Sequence, residues 1–137
     1  MDLSTRCKYA LAAVIELGAV HGKTAPLSIV DIAGRRGIPE KYLVHILLQL
    51  KRARIVRSVR GAGGGYHLSR APEEITVLDI ITAIDGPVMA SVGDRDPLLQ
   101  EVVPVLRELG AKLEHVLRAT TLRDLLDRAS SAPMFYI

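Results

Sequence analysis

Five cations fall within ten residues near the middle of the chain. The segment KRARIVRSVR at 51–60 contains Lys51, Arg52, Arg54, Arg57 and Arg60 and no acidic residue. Residues 1–70 carry twelve Lys or Arg against four Asp or Glu, a formal charge of +8, whereas residues 71–137 carry six against eleven, a charge of −5. A positive field confined to one half of the chain is typical of a surface that binds a polyanion. We expect the acidic half to serve assembly instead.

The other chemically active residues form no recognisable catalytic or metal-binding pattern. There is no pair of carboxylates, Ser/His/Asp set or metal-ligand spacing, so we expect the protein not to be an enzyme. The single cysteine, Cys7, excludes an intrachain disulfide and a cysteine-based metal cluster. Its neighbours Arg6 and Lys8 would favour the reactive thiolate of an oxidant sensor. Cys7 also falls on an apolar stripe, where a free cysteine is usually a small core residue.

The first apolar run indicates a helix of a cytoplasmic protein and not a targeting segment. Arg6 and Lys8 precede it, but Glu16 interrupts it and no small-residue cleavage site follows. No run approaches the roughly 18 apolar residues of a membrane span. One face of the predicted helix carries Leu3, Cys7, Leu11, Val14, Leu17 and His21.

Three capping boxes predict where further helices begin. In each, a hydroxyl precedes an aspartate by three residues, so that each side chain can bond a backbone N–H of the first turn. The pairs Ser28/Asp31, Thr76/Asp79 and Thr121/Asp124 predict helices over 28–36, 76–85 and 121–129. Gly37 favours a left-handed stop after the first of them, and Pro39 suits the first position of another helix. Two helices joined by such a tight turn predict a helix-turn-helix.

β-branched residues and glycines follow the predicted helix-turn-helix. Ile55, Val56 and Val59 precede the glycine-rich run 61–65, and Tyr66-His67-Leu68 come after it. We expect two short strands with a glycine-rich tip, that is, a hairpin or wing. A nucleotide-binding loop would need Lys and Ser or Thr opening a helix after the last glycine, which this sequence lacks. The order of elements predicts a mainly α winged helix-turn-helix with a small β-wing.

The second helix of the motif would present its outward face to a DNA major groove. Lys41 and His45 are candidates to contact base edges there, and Arg60 of the wing is a candidate for the minor groove. Val44 could meet a thymine methyl or pack against a neighbouring helix, and packing is the preferred interpretation for Leu48. The candidates for phosphate contacts are Arg6, Lys8, Tyr42, Lys51, Arg52 and Arg57. The candidates for close approach of the backbone to DNA are Gly63 and Gly64.

A second apolar repeat indicates helix association in the acidic half. Steps of three and four residues connect Leu99, Val102, Leu106, Leu109, Leu113 and Val116. We expect a helix over 97–118 that dimerises through this stripe, and packing within the monomer is the alternative. Pro104 should kink that helix or mark its true start. The resulting organisation is a winged-helix domain at 1–75, a connecting helix and loop at 76–96, and a dimerisation helix and C-terminal helix at 97–137.

Three segments resemble the IscR/NsrR-type winged-helix transcription regulators of the Rrf-two family. They are LSTRCKYALAAVIELG at 3–18, IPEKYLVHILLQLKRARIV at 38–56 and VRSVRGAGGGYHLSRAPEEITVLDII at 56–81. The resemblance implies a cytoplasmic homodimer, a repressor or an activator, that binds a near-palindromic operator in double-stranded DNA. Of the two, we expect a repressor. It also implies a recognition helix in the major groove, Arg60 in the minor groove, and phosphate contacts from residues 4–8.

The chain departs from the cluster-binding members of that family. Those members hold an iron–sulfur cluster through three cysteines after the wing, whereas this chain reads GPVMASVGDRDPLLQEVV at 86–103. Because a cluster needs several thiolate ligands, we expect no iron–sulfur cluster and no other cofactor. Val44 and His45 replace the Glu-Gln pair common in cluster-sensing relatives, which predicts a different operator. The alternative function is a winged-helix module that binds proteins and not DNA, although such a module needs no charge of +8.

Overall fold

The structure, a computed structural model, describes residues 2–88, 97, 98 and 100–131, with side chains up to residue 130. Over these residues the chain forms six α-helices and one two-stranded antiparallel sheet. In chain order the elements are α1 (Thr5–Ala19), α2 (Ile29–Arg36), α3 (Glu40–Arg52), β1 (Val56–Val59), β2 (Gly65–Leu68), α4 (Val77–Asp85), α5 (Val103–Ala119) and α6 (Leu122–Ser131). The expected mainly α fold with a small β-wing is confirmed.

The three capping boxes form and fix the starts of α2, α4 and α6. At the start of α2, the Ser28 hydroxyl accepts a hydrogen bond from the Asp31 N–H, and the Asp31 carboxylate accepts one from the Ser28 N–H. The same reciprocal pair forms at Thr76/Asp79 and at Thr121/Asp124. Each box satisfies N–H groups that the first turn of a helix leaves without partners.

Helix α1 lies at the centre of the molecule, and its buried face differs from the predicted stripe. Small residues dominate this face, whose buried members are Cys7, Ala10, Ala13, Val14, Leu17 and Gly18. A Cβ on Gly18 would lie 3.0 Å from the side chains of Leu122 and Leu126, so the glycine lets α6 pack closely against α1. The placement of His21 on the core stripe is wrong. The helix ends at Ala19, and His21 lies exposed in the turn that follows.

The helix-turn-helix consists of α2 and α3. Gly37 stops α2 in the left-handed conformation, with φ +66°, and the N–H groups of Gly37 and Ile38 both donate to the carbonyl of Ala33. Pro39 directly precedes the first helical residue of α3, Glu40, one position earlier than predicted. Glu16 of α1 pairs with Arg35 and Arg36 of α2, with N–O distances of 3.6 and 2.7 Å. These ion pairs fix the first helix of the motif against α1.

The wing is the antiparallel pair of β1 and β2, in which Val56 faces Leu68 and Val59 faces Gly65. Tyr66 of β2 also forms a bridge with Leu27, in the segment that leads into α2. A Cβ on Gly65 would overlap the backbone carbonyl of Leu27. The tip-side end of β2 is therefore held against the segment that leads into α2, and only glycine fits at position 65 of this contact.

The acidic half begins with α4 and returns to the N-terminal half through α6. Pro104 lies in the first turn of α5, which begins at Val103 and not at residue 97. Proline is tolerated in a first turn because its missing N–H would have no partner there, and Pro104 therefore marks the true start of the helix.

After α5, the Thr120 carbonyl accepts from the Val77 N–H at 2.9 Å, and the Leu122 N–H donates to the Ile75 carbonyl at 2.8 Å. These two bonds anchor the C-terminal end of α5 beside the start of α4.

Among the described helices, none combines the length and apolarity that a membrane span requires.

Candidate nucleic-acid interface

Helix α3 divides into a buried face and an outward face. Leu43, Ile46, Leu47 and Leu50 lie in the core. With about 3.6 residues per turn, Lys41, His45, Leu48 and Arg52 fall in one line on the opposite side, and all four are exposed. The expected packing of Leu48 against a neighbouring helix is wrong, because its side chain is 43% exposed. Val44 lies at the edge of this face and is 46% exposed, so the alternative prediction that it packs against a neighbouring helix is also wrong.

The N-terminal end of α1 lies beside α3. The Arg6 guanidinium donates a hydrogen bond to the side-chain oxygen of Gln49. The rings of Tyr9 and Tyr42 stack with centroids 6.5 Å apart, and the Lys41 ammonium lies 5.0 Å from the Tyr42 ring centroid. These contacts bring Arg6 and Tyr42, two predicted phosphate ligands, to one flank of the outward face. Neither Gln49 nor Tyr9 was predicted from the sequence, because their role depends on how two helices pack.

The wing lies at the C-terminal end of α3. The Lys51 ammonium donates a 2.8 Å hydrogen bond to the hydroxyl of Ser58 in β1. Arg57 pairs with His67 across the hairpin and is exposed, and Arg60 follows β1 at the exposed tip. The outward face of α3, the α1 end and the wing therefore adjoin one another, and we call their exposed residues together the basic face.

The two glycines predicted for the wing tip have different surroundings. Gly63 has φ +78° and open space where a side chain would lie. A Cβ on Gly64 would instead overlap the carbonyl oxygen of Val59 and lie 2.8 Å from that of Gly61. The Gly64 N–H also donates to the Gly61 carbonyl at 2.9 Å. Gly64 is thus required by the turn itself, whatever the tip contacts.

The cations of the basic face are available for an external anion. Arg52, Arg57 and Arg60 are exposed and make no ion pair within the part of the chain that the structure describes. Arg35 and Arg36, by contrast, form ion pairs with Glu16. We therefore assign them to the packing of α2 against α1 and not to the basic face. Lys8 lies 3.9 Å from Asp2 in an exposed and weak pair. Three cations of the first half that have no ion pair among the described residues therefore lie on α3 and the wing.

Helix α5 carries an apolar stripe beside its buried face. Val103 and Gly110 are buried against the rest of the chain. Of the predicted dimer residues, Val102 and Val116 are 38% and 61% exposed, whereas Leu106, Leu109 and Leu113 are half-buried. Val105, which was not predicted, joins the stripe and is 60% exposed. Leu99 lies outside the described residues.

Cys7 lies in the first turn of α1 and is fully buried in the core. Burial, together with the neighbouring Asp85 carboxylate, raises the pKa of the Cys7 thiol to about 11. These effects outweigh the adjacent Arg6 and Lys8, which would lower it. A buried, protonated thiol is inert, so the interpretation of Cys7 as a core residue is the correct one and the oxidant-sensor alternative has no support.

Residues 3–128 match the Rrf2 family model, described as an iron-dependent transcriptional regulator. The HTH-type transcriptional regulator CymR of Bacillus subtilis strain 168 is 38% identical over 144 residues, which span all of both chains. Among solved structures, CymR of B. subtilis, described as its global cysteine regulator, superposes with a TM-score of 0.79. It is 34% identical over 93% of this chain and 97% of that one.

A second solved relative is an IscR protein. T. potens IscR superposes with a TM-score of 0.79 and is 33% identical over 99% of this chain and 95% of that one. The relatives that carry a functional name are transcriptional regulators, and such proteins are not enzymes. The helix-turn-helix with its wing and the basic face agree with a regulator of this kind. The chain belongs to the Rrf2 family of DNA-binding transcriptional regulators.

Proposed function

We propose that the protein acts as a homodimeric repressor that binds a near-palindromic operator in double-stranded DNA. The observation that carries the proposal is the basic face, where Arg52, Arg57 and Arg60 have no anionic partner among the described residues. A polyanion would supply the missing charges and would displace counterions from its own phosphates on binding. Residues 1–75 would hold the DNA-binding unit, residues 76–96 the connection and residues 97–137 the dimer contacts.

We propose that α3 enters the major groove, which is wide enough to admit a helix. Lys41 and His45 lie on its outward line and would reach base edges, whereas Leu48 and Val44 would offer apolar surface to thymine methyl groups. Arg60 would enter the adjacent minor groove, where a narrow groove concentrates negative potential. The proposed phosphate contacts, which set register without reading sequence, are Arg6, Lys8, Tyr42, Lys51, Arg52, Arg57 and the backbone at Gly63 and Gly64.

The proposed dimer forms through the exposed stripe of α5. Val102, Val105 and Val116 leave apolar surface in water, and a second copy of the same helix would cover it. Two-fold symmetry would then present two basic faces to half-sites about 34–36 Å apart or slightly further. A dimer bound in this way covers its DNA and needs no further protein partner, and this favours repression over activation. We propose that the dimer acts in the cytoplasm.

We also propose that this member works without an iron–sulfur cluster, although its family description names iron dependence. The chain has one cysteine in 137 residues and none between 86 and 103. Cys7 is buried, and its raised pKa keeps it protonated, so it is a poor metal ligand. No group of three or more His, Cys, Asp or Glu within the described ranges is placed to hold a metal ion. These donors do not fit a cluster.

Two measurements test the proposal. Titration of the protein against random duplex DNA at rising salt should give affinity that falls steeply, because counterions compete for the phosphates. Selection of bound sequences from a random pool, followed by footprinting, should then yield a two-fold symmetric site. A winged-helix module that binds only proteins would show no DNA affinity even at low salt, and this result would refute the proposal. A brown colour in protein purified anaerobically would refute the cluster-free part alone.

A further inference from the structure

A cavity of about 470 Å³ lies between the turn that joins α3 to β1, the start of the segment after β2, α4 and α5. Its apolar wall includes Ile55 and Pro87, and its charged wall includes Arg70, Asp79, Glu114 and Arg118. We call it the junction cavity. This volume lies within the usual range for a small-molecule site, which combines apolar walls with a few placed polar groups.

The charged wall is balanced and its two ion pairs are long, although one oxygen of the Asp79 carboxylate also accepts the Thr76 N–H of the capping box at 2.9 Å. The Arg70 guanidinium lies 3.9 Å from the Asp79 carboxylate, and the Arg118 guanidinium lies 3.6 Å from the Glu114 carboxylate. Both distances exceed those of charge-assisted hydrogen bonds, and all four side chains are partly exposed. A ligand that carries both a carboxylate and an ammonium group could therefore bond to one guanidinium and one carboxylate without leaving an uncompensated charge.

The junction cavity also contacts the joint between α3 and the wing. Arg54 connects these two elements and is the one non-glycine residue of the described chain with positive φ, at +60°. The Arg70 guanidinium donates to the Arg54 carbonyl at 3.3 Å and to the Glu74 carbonyl at 3.1 Å. A ligand that draws Arg70 toward the cavity would therefore act on the backbone that sets the angle between α3 and β1.

Dimerisation through α5 would leave the junction cavity open. Residues of a helix are about 100° apart around its axis, so Glu114 and Arg118 lie far from the line of Val102, Val105 and Val116. The cavity therefore lies on one flank of α5 and the exposed apolar stripe on another. A partner helix on the stripe would not fill the cavity.

We propose that the junction cavity binds a small zwitterion of the amino-acid class and that its occupancy changes the affinity of the basic face for DNA. The inference rests on the proposed function, whose regulation it specifies. Arg118 and Arg70 would bind the carboxylate of the ligand, Glu114 and Asp79 its ammonium group, and Ile55 and Pro87 would contact its side chain.

The test uses the full chain and the common L-amino acids, supplied one at a time. At least one of them should raise the melting temperature by several degrees at about 100 times its Kd. It should also change the Kd for the selected operator by about fivefold or more. The amine without the carboxylate and the keto acid without the amino group should do neither.

A double variant separates binding in the cavity from binding elsewhere. E114Q/R118Q removes one exposed pair of the charged wall and should abolish the melting shift. E108Q/K112Q removes an equivalent pair with a separation of 3.3 Å on the same helix but outside the cavity, and it should retain the shift. Circular dichroism of both variants confirms that α5 still folds.

The outcomes distinguish this inference from the proposed function. Salt-dependent DNA binding with no melting shift from any amino acid would overturn the junction-cavity proposal and leave the DNA-binding proposal intact. Equal shifts from the amine or keto acid, or an undiminished shift in E114Q/R118Q, would also overturn it. Absence of DNA binding would refute the proposed function, whereas the melting experiment would still report on the cavity.

Discussion

The Lys51 ammonium in the last turn of α3 donates a 2.8 Å hydrogen bond to the Ser58 hydroxyl in β1. This bond joins α3 to the wing across the turn at residues 53–55. It holds the two elements that we propose to contact DNA in a fixed relation before DNA arrives, which reduces the ordering cost of binding. Lys51 is therefore both a proposed phosphate ligand and part of the support for the wing.

Arg60→Ala should weaken binding to the selected operator by about 1–3 kcal/mol. The side chain is exposed at the wing tip and has no partner in the described part of the chain, so its loss should leave the fold intact. Fluorescence anisotropy with the operator and with a random duplex measures the effect. Undiminished operator affinity would show that Arg60 does not enter the minor groove.

Arg57→Gln should weaken binding to all sequences alike, because a phosphate contact carries no base information. The slope of log affinity against log salt should fall in magnitude by about 1. Lys112→Gln removes an exposed cation from α5 and should leave the slope unchanged. If both variants changed the slope equally, the positive field would not be confined to the basic face.

Gly65→Ala should lower the free energy of unfolding by about 1–3 kcal/mol, because the added Cβ overlaps the Leu27 carbonyl. Gly34→Ala is the matched control, since Gly34 lies inside α2 and a Cβ there meets no atom within 4 Å. Gly34→Ala should raise the free energy of unfolding by about 0.5–1 kcal/mol. Urea titration of both variants measures these opposite effects, and a stable Gly65→Ala would contradict the proposed role of the Leu27 contact.

Val116→Glu should convert the proposed dimer to a monomer, because it places a charge at the C-terminal end of the apolar stripe, where Val116 is 61% exposed. Operator affinity should fall about 100-fold or more, since two half-sites are no longer bound by one linked pair of basic faces. Ala111→Glu adds the same charge at an exposed position on the other side of α5 and should remain dimeric. Light scattering gives the mass, and a dimeric Val116→Glu would place the interface elsewhere.

The stability should depend on the ionisation of Cys7 at alkaline pH. An unperturbed thiol ionises near pH 9.0, whereas the folded protein holds the Cys7 pKa at about 11. The contribution of the protonated thiol is therefore complete below pH 9 and declines as the pH rises toward 11. Cys7→Ala should remove this decline, which appears as a difference between the two proteins in urea titrations at several pH values. Parallel pH profiles would contradict the shift.

Local signals in the sequence predicted most of the fold. The three capping boxes, Gly37 and the glycine-rich tip act through neighbours within a few residues, so their effect can be recognised without tertiary information. The buried face of α1 was predicted less well. Ala10, Ala13 and Gly18 are buried because other helices approach α1 closely, and small residues give only a weak periodic signal.

The candidate site was predicted by residue type, and its arrangement came from the structure. The sequence shows that Lys41, His45 and Arg52 share a helix face, because their spacing follows the helical period. It does not show that Arg6 contacts Gln49 or that Lys51 contacts Ser58, since both contacts depend on how elements pack. Leu48 was assigned to packing because it is apolar, although the helical period places it opposite the core.

The hydrogen bonds from Val77 to Thr120 and from Leu122 to Ile75 fasten the far end of α5 to its own subunit. Burial of Val103 fastens the near end. In the proposed dimer, α5 would then be rigid relative to its own subunit. The angle at which the two α5 helices cross would determine how many base pairs separate the two half-sites of the operator. The dimer would therefore select operators by the spacing between their half-sites. Operators whose spacer differs by one or two base pairs would bind weakly.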